Sequence, residues 1–198
     1  IINDSIKVEP SVMTVTSAGR IWLDRNLGAS RVATSLDDQA AYGDLYQWGR
    51  PTDGHENKDS NTISVQWHGT VPVPDHGNFI VGFLDWLSTP NDNLWQGISG
   101  TNNPCPVGFR LPTEAEWQAE IDEYGATGTA LFNSPLKLVA AGYRSYSHDT
   151  INFLGVQGYY WSSTVINNYA RFLTLFRHSA YVTYGYRGNA SSVRCIKD

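Results

Sequence analysis

The sequence predicts an α+β domain, and three observations carry that expectation. A helix-start signature stands at Thr113, where Thr113 and Glu116 form a capping box ahead of apolar residues. Short β-rich segments, separated by Gly, Asn or Ser, fill the chain from Leu136 to its end. Between residues 50 and 112 the chain is dense in Pro, Gly, Asn and Asp. Strands, helices, long loops and then an antiparallel sheet is an α+β order.

Each element follows from its residues. Residues 7–23 alternate well enough for strands, with a turn at Ser17–Gly19. A helix is expected over residues 37–48, from Asp37 to Trp48, with Gly49 as its stop. Residues 50–112 space Phe79, Ile80, Phe83, Trp86, Leu94 and Trp95 irregularly. That spacing predicts long ordered loops packed on the core, with at most short helical turns. The second helix starts at Thr113. Ala115, Trp117, Ile121 and Tyr124 give it a partly helical spacing, and Gly125 ends it. Strands are expected within 136–145, 158–164, 169–176, 180–186 and 192–198.

Bulk composition narrows the function. The 198 residues suit one domain spanning 1–198, with no repeat and no composition break. Seven Trp and eleven Tyr speak for an ordered chain. The net charge of -5 and the lack of any Lys/Arg run argue against nucleic acid as a partner. No apolar run reaches the roughly 20 residues of a membrane span, so direct membrane insertion is not expected. Ile1 is not an initiator Met and no signal peptide follows it. The chain is therefore expected to be processed or cut from something longer.

The titratable residues suggest little catalysis. Cys105 and Cys195 lie too far apart for a CxxC redox or zinc site. One long-range disulfide or two buried free thiols both remain open. His68, Asp75 and His76 are the first metal-ligand suspects, but their spacing fits no zinc pattern. His55 and His148 sit in polar segments with no partner implied. Glu114, Glu116, Glu120, Asp122 and Glu123 on one helix read as a solvated face rather than an acid–base pair. Asp85, Asn91, Asp92 and Asn93 could hold a structural calcium through oxygens, without EF-hand spacing. No cofactor is otherwise expected. No nucleophile elbow, P-loop or dinucleotide fingerprint is present.

Six segments, in order, carry a family resemblance. They are "GRIWLDRNLGAS" (19–30), "AYGDLYQWGRPTDGHE" (41–56), "NPCPVGFRLPTEAEW" (103–117), "AAGYRS" (140–145), "GYYWSST" (158–164) and "SVRCIKD" (192–198). Together they resemble the Fibrobacter-type major paralogous domain, related to the formylglycine-generating-enzyme branch of the C-type lectin fold. The resemblance implies a C-type-lectin-like fold with two helices, short antiparallel sheets and long ordered loops. It implies neither sugar binding, since the Glu-Pro-Asn and Trp-Asn-Asp calcium motifs are missing, nor oxidase activity. Oxidase chemistry needs a nearby pair of reactive cysteines, and Cys105 and Cys195 stand where non-catalytic relatives carry theirs. Trp161, Ser162, Ser163, Val193, Arg194 and Cys195 match the scaffold part of the motif and are expected to brace rather than bind. Ala190 departs from the usual Gly, so the turn near Asn189 is expected to differ.

Several proteins with this fold are variable proteins of diversity-generating retroelements. There, adenine mutation of AAC-like codons cannot produce Lys, Glu, Gln, Trp or Met. None of these five types occurs from Ser162 through Ile196, though the chain carries seven Trp in all. The depletion fits diversification, and it also fits ordinary strand composition. Residues 162–196 are therefore the expected variable region. Within it, Ile166, Asn168, Tyr169, Arg171, Phe172, Thr174, Phe176, Arg177, His178, Tyr181, Thr183, Tyr184 and Tyr186 are the expected ligand-binding residues. Leu173 and Leu175 would share one strand face, and Phe172, Thr174 and Phe176 the other. Both faces cannot easily be core, and surplus aromatics then form an exposed interaction patch. Tyr and Arg suit such a paratope.

The expected function is non-catalytic ligand binding by a diversified surface. The partner would be a protein or cell-surface ligand, and the setting extracellular, on a cell or on a virion. The competing expectation is an undiversified surface-anchored adhesin-type domain for glycan or protein. A weaker third is an enzyme of the formylglycine-generating branch.

Overall fold

The computed structural model describes residues 13–198. A hairpin opens it: β1 (Thr14–Ser17) and β2 (Arg20–Leu23) pair antiparallel around Ala18–Gly19, both at positive φ. The expected turn is there. Residues 7–12 of the expected segment lie outside the described residues.

The helix expected over 37–48 does not form. The chain makes only one 3-10 turn, Gln39–Ala41, capped by the Asp38 side chain. Gly43 then takes φ 70, where an added Cβ would stand 2.2 Å from the Leu27 carbonyl. That left-handed backbone conformation ends a right-handed helix, and only glycine fits there. Beyond it Tyr46–Gln47 is a short strand, β3, buried on both of its residues. Tertiary pairing with Ala190–Ser191 overrides the local helical pattern.

The middle of the chain holds only β4 (Thr62–Ile63) and β5 (Phe79–Ile80), paired in parallel, and β6 (Phe109–Arg110). Otherwise residues 50–112 are ordered loop, as expected. Their Trp side chains hold them down. Trp48, Trp86, Trp95 and Trp161 share one core cluster with Leu111, Val193 and Cys195. Each buried indole N–H finds a backbone carbonyl: Trp48 donates to Ser162, Trp86 to Trp48, Trp95 to Arg50 and Trp161 to Tyr46. Two of these acceptors, the Trp48 and Arg50 carbonyls, lie in loop, and the other two lie in strands β3 and β9 (Gln157–Ile166).

Helix α1 (Glu114–Tyr124) begins with the reciprocal capping box of Thr113 and Glu116 and ends at Gly125. The second helix is α2 (Gly128–Asn133), capped by Thr127. Two helices are present, but the second lies after the first and not at 37–48. Residues 136–142, expected to start a strand, run irregularly. Lys137 has φ 51, and the Val139 amide bonds the Tyr160 hydroxyl instead of a ladder. The strands proper follow: β7 (Tyr143–Arg144), β8 (Ile151–Asn152), β9 (Gln157–Ile166), β10 (Tyr169–Phe176), β11 (Ser179–Tyr186), β12 (Ala190–Ser191) and β13 (Ile196–Lys197).

Three antiparallel sheets result, in the orders β1-β2-β13-β6, β11-β10-β9 and β3-β12-β7-β8. A second core cluster joins the first of these to α1 through Trp22, Trp117, Ile121, Tyr160, Leu173, Leu175 and Ile196. Cys105 and Cys195 form a disulfide across a separation of 90 residues. That decides between the two readings of the cysteines.

Candidate functional site

Strands β9, β10 and β11 make the largest extended surface, and their connections fix its geometry. A two-residue turn at Asn167–Asn168 joins β9 to β10, with Asn167 at φ 51. Asn tolerates that left-handed region better than most residues. A bulge follows: Ser162, Ser163 and Thr164 stand against Arg171 alone between two regular ladder stretches. The Ser162 hydroxyl donates to the Arg171 carbonyl at 2.9 Å and so satisfies it. Opposite, β10 and β11 pair without interruption from Tyr169↔Tyr186 to Phe176↔Ser179.

Alternation then sorts the side chains. One face carries Tyr169, Arg171, Leu173 and Leu175, with register partners Tyr186, Tyr184, Val182 and Ala180. Leu173 and Leu175 are fully buried at one end of this face. At the other end the three tyrosines cluster: the Tyr169 ring lies 5.1 Å from Tyr184 and 5.3 Å from Tyr186. The Arg171 guanidinium stands 5.8 Å from the Tyr184 ring and pairs with Glu114 at 3.0 Å. Tyr184 is 53% exposed, and Ile166, opposite Tyr169, is half-buried.

The other face carries Phe172, Thr174 and Phe176 beside Thr183 and Tyr181. Phe176 stacks on Tyr181, and Tyr181 is 48% exposed. Thr174 corrects the expectation. Flanked by Tyr159 and Tyr181 at its register positions, it is only 2% exposed and cannot touch a ligand directly. Phe172 is half-buried and packs against the tryptophan-rich core.

The expected site residues do not all meet. Asn168 and the pair Arg177–His178 occupy the opposite ends of β10, roughly 25 Å apart at strand rise. Arg177 lines a separate hollow of about 540 Å³ beside Asp37 and Phe132. One small ligand cannot span both. The scaffold residues Trp161, Ser162, Ser163, Val193, Arg194 and Cys195 are all buried, as expected.

Two hollows adjoin the tyrosine cluster, and Tyr186 lines both. One, about 440 Å³, lies between the 82–90 loop and Asn167–Tyr169. The other, about 260 Å³, lies among Tyr143, Tyr159, Trp161 and Phe172. Tyr143 and Tyr159 were not among the expected site residues. Their signal was strand parity: in "GYYWSST" Tyr160 is fully buried, so its neighbour Tyr159 faces the other way. Burial pushes the Tyr159 hydroxyl pKa up to about 12.

The remaining titratable groups brace the fold. His55, expected in a polar loop, is fully buried. Its Nε2 accepts from the Gln47 amide at 3.0 Å and its Nδ1 stands 2.6 Å from Asp53 Oδ1, so Nδ1 carries the proton. Burial pushes its pKa down to about 4. Asp53, His55 and Glu56 are the one His/Cys/Asp/Glu group with converging ligand atoms among the described residues. Asp53 already binds the Arg50 guanidinium, and Glu56 accepts the Gly54 amide. His68, Asp75 and His76 do not converge. Asp85 and Asp92 both face Arg187, a positive charge standing where a calcium ion was considered.

The acidic helix face is only partly solvated. Glu116 pairs with Arg110 and Arg20 while it completes the cap. Glu120 is fully buried, accepts from the Ser17 hydroxyl at 2.7 Å, and has its pKa pushed up to about 7 by burial. Asp122 and Glu123 are exposed. No helix is long and apolar enough to cross a membrane among the described residues.

The chain matches no family model, no curated protein and no solved structure.

Proposed function

We propose that this chain is a non-catalytic ligand-binding protein: a variable protein of a diversity-generating retroelement, displaying its β9–β11 surface on a C-type-lectin-like scaffold. The observation that carries the reading is the cluster of Tyr169, Tyr184 and Tyr186 with Arg171 beside it. These side chains offer large contact area and few rotors to freeze. They stand on two strands whose register is unbroken, and the other end of their own face is buried in the core. Tyr184 is exposed and Tyr169 and Tyr186 are half-buried, and a rigid frame under such partly exposed aromatic groups is what preorganised recognition needs.

Two further observations support it. Residues 162–196 lack every residue type that adenine-mutated AAC codons exclude. And both cysteines are joined to each other, which leaves no thiol for oxidase-type chemistry among the described residues. The partner is a protein or cell-surface ligand, met outside the cell or on a virion.

The test is the DNA flanking the gene. The reading expects a near-identical repeat with adenines at the codons for Tyr169, Arg171, Tyr184 and Tyr186, and a reverse transcriptase gene beside it. A flank with neither discards it.

A further inference from the structure

We propose that the 260 Å³ cleft beside the tyrosine cluster binds a quaternary ammonium group, such as the trimethylammonium of choline, through its aromatic walls. The location of the ligand rests on the reading of β9–β11 as a binding surface; its chemistry rests on the cleft alone.

Six aromatic side chains line the cleft, Tyr184 and Tyr186 among them, and the other four meet in sequence. Tyr143 meets Tyr159 at 5.0 Å with planes 73° apart, Tyr159 meets Phe172 at 5.7 Å and 62°, and Phe172 meets Trp161 at 5.5 Å and 81°. Rings at such steep angles enclose a concave volume. They do not form the flat platform on which a sugar ring stacks. Gly185 lets the Phe172 ring sit against the β11 backbone, since a Cβ there would stand 2.6 Å from it.

The polar inventory selects the ligand. No Asp, Glu, Lys or Arg lines the cleft, and its non-aromatic polar side chains are Asn189 and Ser191. Asn189 Oδ1 is already taken by the Tyr146 amide at 3.2 Å. A primary ammonium would bring three N–H donors and find no carboxylate to pair with. Each unmet donor is costly. A quaternary ammonium carries charge without a hydrogen-bond donor, so it needs none. Ring faces attract it electrostatically, and the chain's net charge of -5 favours its approach.

The test titrates the folded chain with choline and with its uncharged carbon isostere, in which tert-butyl replaces trimethylammonium. Calorimetry gives the affinity, and proton NMR follows the methyl signal. The expected result is saturable choline binding, an upfield ring-current shift of the N-methyl signal, and an isostere about tenfold weaker. Tyr159→Leu keeps apolar volume but removes a ring. It should weaken choline about tenfold and move the isostere by less than about twofold. Tyr143→Leu should act likewise, which guards against a poorly folded Tyr159 variant. Failure of choline to saturate, an isostere that binds as tightly, or ring-to-Leu variants that bind choline unchanged would each overturn the proposal. None of these results bears on the flanking DNA, so the broader reading stands or falls separately.

Discussion

The two ends of one hairpin face are built for different ends. Near the Phe176–Ser179 turn, Leu173, Leu175, Ala180 and Val182 pack with Trp117, Ile121 and Leu131. Near the Asn167–Asn168 turn, Tyr169, Arg171, Tyr184 and Tyr186 pack largely on one another. The border falls where α1 begins: Glu114, its first residue, reaches Arg171. A helix covers half of the face and leaves the rest to water. The backbone is continuous across the border, so the covered half holds the uncovered half in register. Covered and uncovered surface are thus separated along eight residues of one strand.

Four measurements can break or sharpen that contrast. The largest effect should come from the frame's covalent tie. Replacing Cys105 and Cys195 by Ala frees a span of 90 residues and should cost about 4–5 kcal/mol in denaturant unfolding. A loss below about 1 kcal/mol would mean that the tie contributes little. Next, Leu173→Ala should cost about 3 kcal/mol, while Tyr184→Ala should cost under about 1 kcal/mol. Equal costs would erase the distinction between the two halves.

The third concerns Glu120, buried where α1 meets β1. Its folded pKa of about 7 lies above its ordinary 4.5. Below pH 4.5 both folded and unfolded states hold the proton and the group costs nothing. Between pH 4.5 and 7 the unfolded state gives up its proton while the folded state keeps it, so the penalty grows across that range and levels off above 7. Glu120→Gln removes it, so this variant should gain about 2–3 kcal/mol on the parent between pH 5 and 8.5. A constant difference across that range would refute the burial argument. The smallest effect belongs to the border pair. Glu114→Ala should change stability by less than about 0.5 kcal/mol, because both partners are partly solvated.

Much of the frame was legible. The capping box at Thr113, the stop at Gly125 and the loops of 50–112 all follow from local chemistry. The strands of 169–176 and 179–186 were legible from β-branched and aromatic content. The helix expected over 37–48 failed because its pattern of buried residues serves a different purpose. Tyr42, Leu45, Tyr46 and Trp48 are all buried, but Gly43 takes a left-handed φ of 70 that no right-handed helix allows. The helix α2 was missed because six residues show too little periodicity, and its Thr127 cap emerges only in the structure.

The candidate site was legible in residue type but not in placement. Thr174 obeys strand alternation and yet is buried, because its register partners on both neighbouring strands are tyrosines. Tyr143 and Tyr159 reach the site from segments that read as scaffold. His55 read as a polar-segment residue with no partner because the Asp53 and Gln47 groups that hold it are brought together only by the folded turn.

The sequence alone determined the α+β class, the start and stop of α1 and the aromatic character of the C-terminal strands, since each depends on neighbours within a few residues. Which tyrosines face water, which carboxylate is buried and which rings surround the cleft were decided by tertiary structure. Those outcomes depend on strand register and on partners as distant as Ser17 and Glu120, whose meeting no local pattern encodes.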